Sequence, residues 1–468
     1  MMLVKIASRN ILRNARRSLM TMSAIAVGAT ALVLFGEFVA NMTTGLQTQT
    51  VRRSGHLSVF RTGYFNFGAG NPAAYGIGDY RSVIRLINED RLLKPLVNVV
   101  TPTVTLFGIA GNFDIDASKT FLGFGVVPSD RDRMRQWDEY GVFRNLVLED
   151  SGLRDDDETR GVVGVGLARI LGLCASLKLA DCPPRPQTAE SPSLKSSARA
   201  GALQELAQRD RDTSPSLSNG GAPRLDLLAG TAGGAPNVLS LYVSRAEPQG
   251  VKELDDNFVA MHFALAQQLL YGRGERKALG IVLQLHRTED MPTARARLVT
   301  LFTERGLDLE VRDFTELQPF YKQVIGLFGA IFSFIAVIMG VIVLFTVVNT
   351  MSMSVMERTS EIGTARAMGV RRRGIRRQFL IEGWMLGAIG ATVGLILASV
   401  IAFLINRSGF MWTPPSQAAA VPLRVLTSGV GPLNLGVWLG LVVMATLAAL
   451  LPANRAARLA VVDALRHV

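Results

Sequence analysis

The chain has 468 residues, of which 49% are hydrophobic, and its 50 Lys and Arg against 38 Asp and Glu give a formal net charge of +12. Four long, nearly uncharged apolar runs exclude an ordinary water-soluble enzyme, and the basic residues that flank them explain the charge without a nucleic-acid partner. The sequence has four His and two Cys, no metal-ligand spacing, no phosphate-binding loop and no hydrolase motif. We therefore expect no catalytic residue, metal or bound cofactor in this chain.

Residues 1–17 are the first predicted element, an amphipathic entry helix. Lys5, Arg9 and Arg13 recur at every fourth position, and an apolar stripe that begins at Leu3 lies opposite them. This pattern is typical of a helix that lies in the plane of a membrane interface. A basic anchor without fixed structure is the alternative interpretation.

The four apolar runs predict transmembrane helices, because each has about the 20 residues that a helix needs to cross hydrocarbon. The first run is too long for the apolar part of a signal peptide and no small-residue cleavage site follows it, so we expect an uncleaved anchor. Glu37 and Glu382 lie near predicted membrane faces, and we interpret them as interfacial. The predicted transmembrane helices cover residues 18–40, 324–350, 379–405 and 434–453.

The distribution of Lys and Arg predicts the orientation, because cytoplasmic loops carry an excess of these residues. They are concentrated before the first run, between the second and third runs, and after the fourth run, whereas the loop after the third run offers only Arg407 and Arg424. We predict a multi-pass protein of the inner (cytoplasmic) membrane with both termini in the cytoplasm. Its cytoplasmic segments would be residues 1–17, 351–378 and 454–468, and its periplasmic segments residues 41–323 and 406–433.

The segment 41–323 alternates between strand-like and helix-like patterns. The predicted fold class is thus an α-helical membrane protein with four transmembrane helices and a large α+β extracytoplasmic domain inserted between the first and the second. Strands are predicted at residues 55–61, 97–107, 120–127, 237–244, 280–285 and 309–312, and helices at 79–91, 162–173, 251–271 and 291–305.

Residues 183–234 interrupt this alternation with a composition dominated by Pro, Ser, Ala, Gly and Gln. Such a segment cannot bury enough apolar surface to order itself, so we predict a disordered insertion. The two cysteines, Cys174 and Cys182, lie just before it on the predicted outward side. Because that compartment is oxidising and the two thiols are eight positions apart, we predict a disulfide between them.

The third and fourth apolar runs carry glycines at positions typical of close helix packing. Small residues four apart let two helix backbones approach each other. Packing inside one chain and a seam between two chains are both compatible with this spacing. The candidate packing residues are Gly383, Gly387, Gly390, Gly394, Gly436 and Gly440.

The segment between the second and third apolar runs, residues 356–378, is amphipathic and rich in Arg. It predicts a helix at the cytoplasmic surface whose first turn is acidic, as the positive helix end favours. An apolar strip would dock in a partner, Gly369 would end the helix in a left-handed turn, and Arg371–Arg377 would meet anionic headgroups. The candidate coupling residues are Glu357, Arg358, Glu361, Ile362, Ala365, Arg366, Met368 and Gly369, with Ile362, Ala365 and Met368 as the apolar strip.

Several segments resemble a known family. Residues 348–369, V-N-T-M-S-M-S-V-M-E-R-T-S-E-I-G-T-A-R-A-M-G, look like the characteristic segment of FtsX-like ABC transporter permeases, the MacB and LolC/LolE group. Q-F-L-I-E-G at 378–383, L-P-A at 451–453 and A-S-R-N-I-L-R-N at 7–14 are similar to other segments of that family. G-H-L at 55–57 and G-V-G-L-A at 164–168 look closer to its LolE-like branch.

The resemblance implies a permease subunit that is not itself an enzyme. It would couple ATP hydrolysis in a separate ABC ATPase of the LolD/MacB type, where ATP and Mg bind, to movement of the periplasmic domain (mechanotransmission). That movement would export or release a lipoprotein, lipid or periplasmic substrate. The implied partners are a second permease chain in a homo- or heterodimer, membrane lipids, and a lipoprotein or periplasmic adaptor. The alternative is an FtsX-type scaffold that activates a periplasmic cell-wall hydrolase without transport.

Overall fold

The computed structural model describes residues 2–68, 71–142, 151–180, 182, 222–231, 233–272, 276–413, 420–427 and 429–459. The chain divides into two compact units. The helical unit comprises Met1–Gln47, Pro319–Trp412 and Val421–Val468, and the α+β unit comprises Thr48–Gln318 and Thr413–Ala420. The middle domain therefore begins at Thr48 rather than residue 41, because the first long helix continues without a break past its apolar run.

The helical unit is built from long helices that extend beyond the apolar runs. Among the described residues, four helical segments are long and apolar enough to cross a membrane, namely Ala15–Ser54, Pro319–Glu357, Arg372–Ser408 and Gly431–Arg458. A two-stranded hairpin of β10 (Met411–Trp412) and β11 (Val421–Pro422) follows the third of them. The helices are α1 (Met2–Arg13), α2 (Ala15–Ser54), α11 (Pro319–Glu357), α12 (Thr359–Ala367), α13 (Arg372–Ser408), α14 (Gly431–Ala448) and α15 (Leu450–Arg458).

The core of the helical unit lies where α2, α11, α13 and α14 meet. It is made mainly of Ala, Val, Ile and Leu, which fit closely spaced helices. Its fully or almost fully buried members include Ile25, Ala29, Val343, Val347, Leu386, Ala391, Val442 and Ala445.

The α+β unit is organised around a nine-stranded sheet in the order β3-β7-β4-β6-β5-β2-β8-β1-β9. Strand β3 also pairs with β2, so six strands close into a ring and β8, β1 and β9 extend it. The pairs β3–β7 and β4–β6 are parallel. The strands are β1 (Leu57–Arg61), β2 (Val97–Asn112), β3 (Ala117–Val126), β4 (Arg160–Gly164), β5 (Arg224–Gly230), β6 (Pro236–Glu247), β7 (Phe258–His262), β8 (Gly280–Leu285) and β9 (Leu309–Asp313).

Short helices cover the sheet and enclose its apolar core. Leu167 of α6, Ala266 and Leu269 of α8, and Leu298 of α9 are fully buried. Short 3-10 turns occur at Pro72–Tyr75, Phe113–Ile115 and Thr288–Asp290. The helices are α3 (Tyr64–Phe67), α4 (Tyr80–Glu89), α5 (Pro128–Arg135), α6 (Val165–Ile170), α7 (Lys252–Asp255), α8 (Phe263–Tyr271), α9 (Met291–Glu304) and α10 (Phe314–Leu317).

Two helix predictions in this unit are wrong in part. The range 251–271 contains α7, strand β7 and α8, and the range 162–173 begins with part of strand β4 before α6. The segment Phe258–Met261 is buried at every position. A continuous apolar run of this length has the same pattern in a buried strand and in a buried helix, so periodicity does not separate them.

The predicted insertion at residues 183–234 is wrong at its end. Residues 224–230 form β5, which pairs with β2 on one side and β6 on the other. Leu225 and Leu227 are fully buried, because alternate residues of β5 face the core. The alternation of R-L-D-L is a weak strand signal that the neighbouring Pro, Ser and Gly obscure. Residues 183–221 lie outside the described part of the chain.

Candidate functional site

The candidate coupling segment folds as one short helix between two long ones. Helix α11 ends at Glu357, Arg358 has a non-helical backbone, and α12 follows. Gly369 has a φ of 95°, the left-handed backbone that glycine favours after a helix end. Gly369 therefore follows the end of α12, as the sequence predicts, but the start of the helix and the basic residues after it differ from the prediction. Glu357 belongs to the last turn of α11 rather than the start of α12, and the basic residues from Arg372 onward form the first turns of α13.

Arg358 points into the helical unit and forms a buried ion pair with Glu382 of α13. Its Nη1 donates to Oε1 and Oε2 of Glu382 at 3.2 and 3.4 Å, and the two side chains are 8% and 5% exposed. The guanidinium also lies 5.6 Å from the ring centre of Phe379. Glu382 is therefore a buried partner of Arg358, and its placement near a membrane face stays a prediction. Removing one charge of such a pair would leave the other buried and uncompensated.

Helix α1 and the start of α2 join the same group of polar side chains. Asn10 donates through Nδ2 to Oε1 of Glu382 at 2.6 Å. The guanidinium of Arg13 lies 2.8 Å from Oε1 of Glu361, and Arg17 pairs with Glu357. We call this set the polar junction, and its members are Asn10, Arg13, Arg17, Glu357, Arg358, Glu361 and Glu382.

Through the polar junction, α1 contacts other helices of the chain, which the sequence did not predict. Helix α1 contacts α13, and Ala7 on its apolar side is fully buried within the protein. Arg13 therefore serves an ion pair within the chain instead of standing on a purely membrane-facing basic side. The predicted entry helix is present as α1, and Ala7 of its apolar stripe packs on protein; its position in the membrane interface stays a prediction.

The charges at the exposed edge of the polar junction stabilise each other. The hydrogen bond from Arg13 holds the pKa of the Glu361 carboxyl below its usual range, and Arg358 acts in the same direction. Glu361 in turn raises the pKa of Arg13. Since Glu361 titrates below its ordinary range and Arg13 above its own, both side chains are charged at neutral pH.

The predicted apolar strip on α12 is only partly available. Ile362 is 4% exposed and belongs to the core of the helical unit, so its assignment as a docking residue is wrong. Ala365 and Arg366 are half-buried, and Arg366 donates through Nη1 to the carbonyl of Ala457 at 2.8 Å. Met368 is 76% exposed. The side of α12 that faces away from the protein, which we call the outer face, consists of Ser360, Thr364, Ala367 and Met368.

The glycines of α13 allow two different helices to approach it. A Cβ atom on Gly383 or Gly387 would lie 2.6 or 2.8 Å from the Cβ of Ala449 or Ala445, respectively. On Gly390 or Gly394 it would lie 2.9 or 2.5 Å from the Cβ of Ile25 or Ala29 in α2. A Cβ atom on Gly436 or Gly440 would have no described atom within 4 Å. These four α13 glycines therefore pack inside the chain, whereas the two α14 glycines do not.

Two further predicted features lie away from the polar junction. Cys174 and Cys182 are joined by a disulfide in the α+β unit. Glu37 is buried within the chain, and its Oε1 accepts a hydrogen bond from Nδ2 of Asn434 at 3.1 Å; its placement near a membrane face stays a prediction. Within the described ranges, no three His, Cys, Asp or Glu side chains form a group that could hold a metal ion.

Sequence reasoning singled out Glu357, Arg358 and Glu361 but missed how these side chains pair with Asn10, Arg13, Arg17 and Glu382. Asn10 was the available signal in α1, because an amide three residues after Ala7 falls near the apolar stripe of that helix. In α13, Glu382 is the acidic residue within a strongly apolar helix, which calls for a buried partner. Which cation pairs with it depends on the fold, since Arg358 is 24 positions away.

Four members of the polar junction, Glu357, Arg358, Glu361 and Glu382, lie in a segment that matches a known family. Residues 333–461 match the family described as FtsX-like permease C-terminal. The chain is 39% identical over 119 residues to the macrolide export ATP-binding/permease protein MacB of Nitrobacter winogradskyi, which covers 25% of this chain and 16% of that protein. It is 26% identical over 234 residues to the protein of the same name from Hyphomonas neptunium, covering 50% and 34%.

A shorter match is to the ABC transporter permease YtrF of Bacillus subtilis, which is 43% identical over 72 residues, 15% of this chain and 16% of that protein. Across these three relatives, the chain spans at most 34% of the relative's length. The matched family segment runs from within α11 through α12 and α13 to the end of α15. It therefore contains the outer face of α12, Arg358 and Glu382.

Proposed function

We propose, because this chain belongs to the FtsX-like ABC permease family, that it is the membrane-spanning subunit of an ABC transporter. A separate ABC ATPase subunit would bind ATP and Mg and dock on the outer face of α12. The observation that supports this proposal most strongly is the position of α12 between the two long helices α11 and α13, with Met368 exposed and Arg358 fixed to Glu382. Movement of α12 would thereby be passed to both helices.

The proposed location is the inner membrane, with both termini and α12 in the cytoplasm and the α+β unit in the periplasm. The four long apolar helices and the basic residues at Arg371–Arg377 support this orientation. The disulfide between Cys174 and Cys182 also supports it, because disulfides persist in oxidising compartments. We propose that two permease chains, alike or different, form the complete transporter.

The proposed substrate is a lipoprotein, a lipid or another periplasmic molecule that the α+β unit releases when α12 moves, with or without a periplasmic adaptor. The scarcity of polar side chains in the long helices supports a mechanism without a water-filled path through them. Two of the relatives carry the name of macrolide exporters. Membership of the LolE-like branch stays a prediction from the residues at 55–57 and 164–168.

The test is reconstitution of the full chain with its ATPase in proteoliposomes, followed by measurement of ATPase association, ATP hydrolysis and release of a lipidated protein. We expect Met368→Asp to lower ATPase association and hydrolysis at least about tenfold, because a buried hot-spot side chain at an interface contributes about 2 kcal/mol or more. Val299→Asp is the matched control, since Val299 is 50% exposed on a helix of the α+β unit. Wild-type ATPase association in Met368→Asp would contradict the docking site.

The release assay tests the substrate separately. If ATP leaves the release of lipidated protein unchanged while hydrolysis is coupled normally, lipoprotein release is wrong and the docking site stands. If neither ATPase association nor hydrolysis depends on this chain, the transporter assignment itself is wrong.

A further inference from the structure

The α+β unit contains a cavity of 290 Å³ with no role in the coupling described above. It lies among the last turn of α2, strands β2, β3 and β7, helix α5 and the segment after β6. Its volume is close to the lower end of the range of about 300–1,000 Å³ found for small-molecule sites. The cavity is therefore large enough for a small ligand.

Arginines dominate the charge of this cavity. Its lining contains Arg52, Arg53, Arg131 and Arg135 but a single carboxylate, Glu247. Glu247 is buried and accepts from Arg131 at 2.7 Å and from Arg135 at 3.1 Å. One carboxylate thus serves two guanidinium groups. Nη1 of Arg131 is buried without a hydrogen-bond acceptor among the described residues.

Charges just outside the lining do not cancel this excess. Asp132 approaches Arg135 at 3.9 Å and Asp138 attracts Arg52, whereas Arg245 repels Arg135. Asp130, which interacts with Thr101 of the lining, adds a further carboxylate, and the count is then five arginines against four carboxylates. Burial lowers the pKa of Arg135, which means that its charge has lost more by leaving water than the neighbouring carboxylates restore. An additional anion would stabilise this group of charges.

The opposite wall of the cavity is apolar. The rings of Phe124 and Phe258 lie side by side, with their centres 5.5 Å apart, and Val126 and Ala260 continue this surface. Arg53 connects the two walls, because its guanidinium lies 5.6 Å from the ring centre of Phe258 and donates to Oε1 of Gln249. A ligand that fits both walls has an acidic end and an apolar end.

We propose that this cavity binds an amphiphilic anion, whose carboxylate or phosphate head contacts Arg53 and Arg131 and whose short apolar chain packs on Phe124 and Phe258. Guanidinium groups bind both kinds of head through charge-assisted hydrogen bonds. The proposal goes beyond the transport function and does not depend on ATPase docking. The site is confined to the α+β unit and needs no residue of the polar junction.

The test uses the full chain in nanodiscs of phosphatidylcholine and a photoactivatable octanoate that carries a diazirine. We expect cross-links in the peptides that contain Phe124, Val126 and Phe258, located by mass spectrometry. Unlabelled octanoate or octyl phosphate should compete, and the one that competes at lower concentration identifies the head group. Octanol, which has the same chain without the charge, should need at least about tenfold more, the equivalent of about 1.4 kcal/mol.

Two variants test the two walls. Arg53→Gln should weaken octanoate competition at least about tenfold, and Val126→Trp should abolish the cross-link by filling the cavity. Arg154→Gln is the matched control, because Arg154 is an exposed arginine of the same unit that pairs with Asp156. Circular dichroism melting checks that each variant is folded.

Three outcomes would overturn the proposal. Octanol could compete as well as both anions, cross-links could fall only in the long helices, or folded Arg53→Gln could bind like the wild-type chain. If Val126→Trp does not fold, the charge variant and the octanol comparison still decide the question. A failed ATPase assay would leave these results unaffected, so the two proposals fail separately.

Discussion

The helical unit and the α+β unit bury their side chains in opposite ways. In the helical unit, glycine and alanine lie between helices, while large side chains such as Phe334 and Phe345 are 66% and 68% exposed. In the α+β unit, Phe121 and Phe302 are each 2% exposed and fill the core. In lipid, large apolar side chains lose nothing by facing outward, so helices associate through close packing and polar contacts instead. The comparison indicates an apolar surrounding for one unit and water for the other.

Breaking the buried ion pair of the helical unit should cause the largest loss of stability. Arg358→Met leaves Glu382 buried and unpaired, which is expected to destabilise the protein by about 3–5 kcal/mol. The measurement is thermal unfolding in a mild detergent. Arg154→Met, which breaks an exposed pair in the α+β unit, should cost about 0–1 kcal/mol.

A double variant separates lost charge pairing from lost packing. Arg358→Met combined with Glu382→Leu removes both charges, so most of the stability should return. If the double variant is no more stable than Arg358→Met, the buried charge is not the cause and the comparison between the two units loses its main support.

The core of the α+β unit should show the next largest effect. Leu227→Ala removes a fully buried side chain from β5 and is expected to cost about 2–5 kcal/mol. Leu228→Ala is the control, because the neighbouring side chain points to the other side of the strand and is 37% exposed. Equal shifts in melting temperature for the two variants would show that β5 does not lie in the sheet.

Sequence reasoning succeeds for those parts of the fold whose sequence pattern has a single physical interpretation. The four long helices were predictable, because a long apolar run without charges is stable as a helix in an apolar surrounding. Gly369 was predictable at the helix end, because left-handed backbone favours glycine. Strand β7 was not, since Phe258–Met261 is apolar at each position and carries no period. Ile362 was assigned to a docking strip because a sequence gives the apolar side of a helix but not the protein or partner that covers it.

Replacing glycines in the long helices should change the free energy of unfolding less. The change should be destabilising for Gly394→Ala and stabilising for Gly440→Ala. In Gly394→Ala the new Cβ would lie 2.5 Å from the Cβ of Ala29, so overpacking of about 1–3 kcal/mol is expected. In Gly440→Ala no described atom lies within 4 Å, and the higher helix propensity of Ala should stabilise by up to about 1 kcal/mol. Unfolding in detergent compares the two. A stabilised Gly394→Ala would contradict close packing of α13 on α2.

Removing a charge at the exposed edge of the polar junction should change stability least. Glu361→Gln removes the carboxylate that pairs with Arg13 and Arg358. Because the folded-state pKa of Glu361 is lowered from 4.5, its contribution is present above that value and is lost as the pH falls through the lower folded-state pKa. The difference in melting temperature between wild type and Glu361→Gln should therefore be largest at neutral pH and disappear in strong acid.

Salt offers an independent check on the same residue. An exposed pair is screened by added salt, whereas the buried pair of Arg358 and Glu382 is not. The effect of Glu361→Gln should shrink at high ionic strength and that of Arg358→Met should persist. A difference for Glu361→Gln that is independent of both pH and salt would show that Glu361 acts through packing.

Four glycines on one side of α13 set a limit on how this chain can vary between organisms. Gly383, Gly387, Gly390 and Gly394 share one side of the helix and serve two neighbours in turn, so a single methyl group at any of them meets a neighbouring Cβ at 2.9 Å or less. Most coding changes there should be removed by selection, whereas Gly436 and Gly440 should drift unless a second chain occupies the space beside them. Frequent substitution at these two positions would thus indicate that no second chain packs on α14, and retention of glycine would indicate that one does.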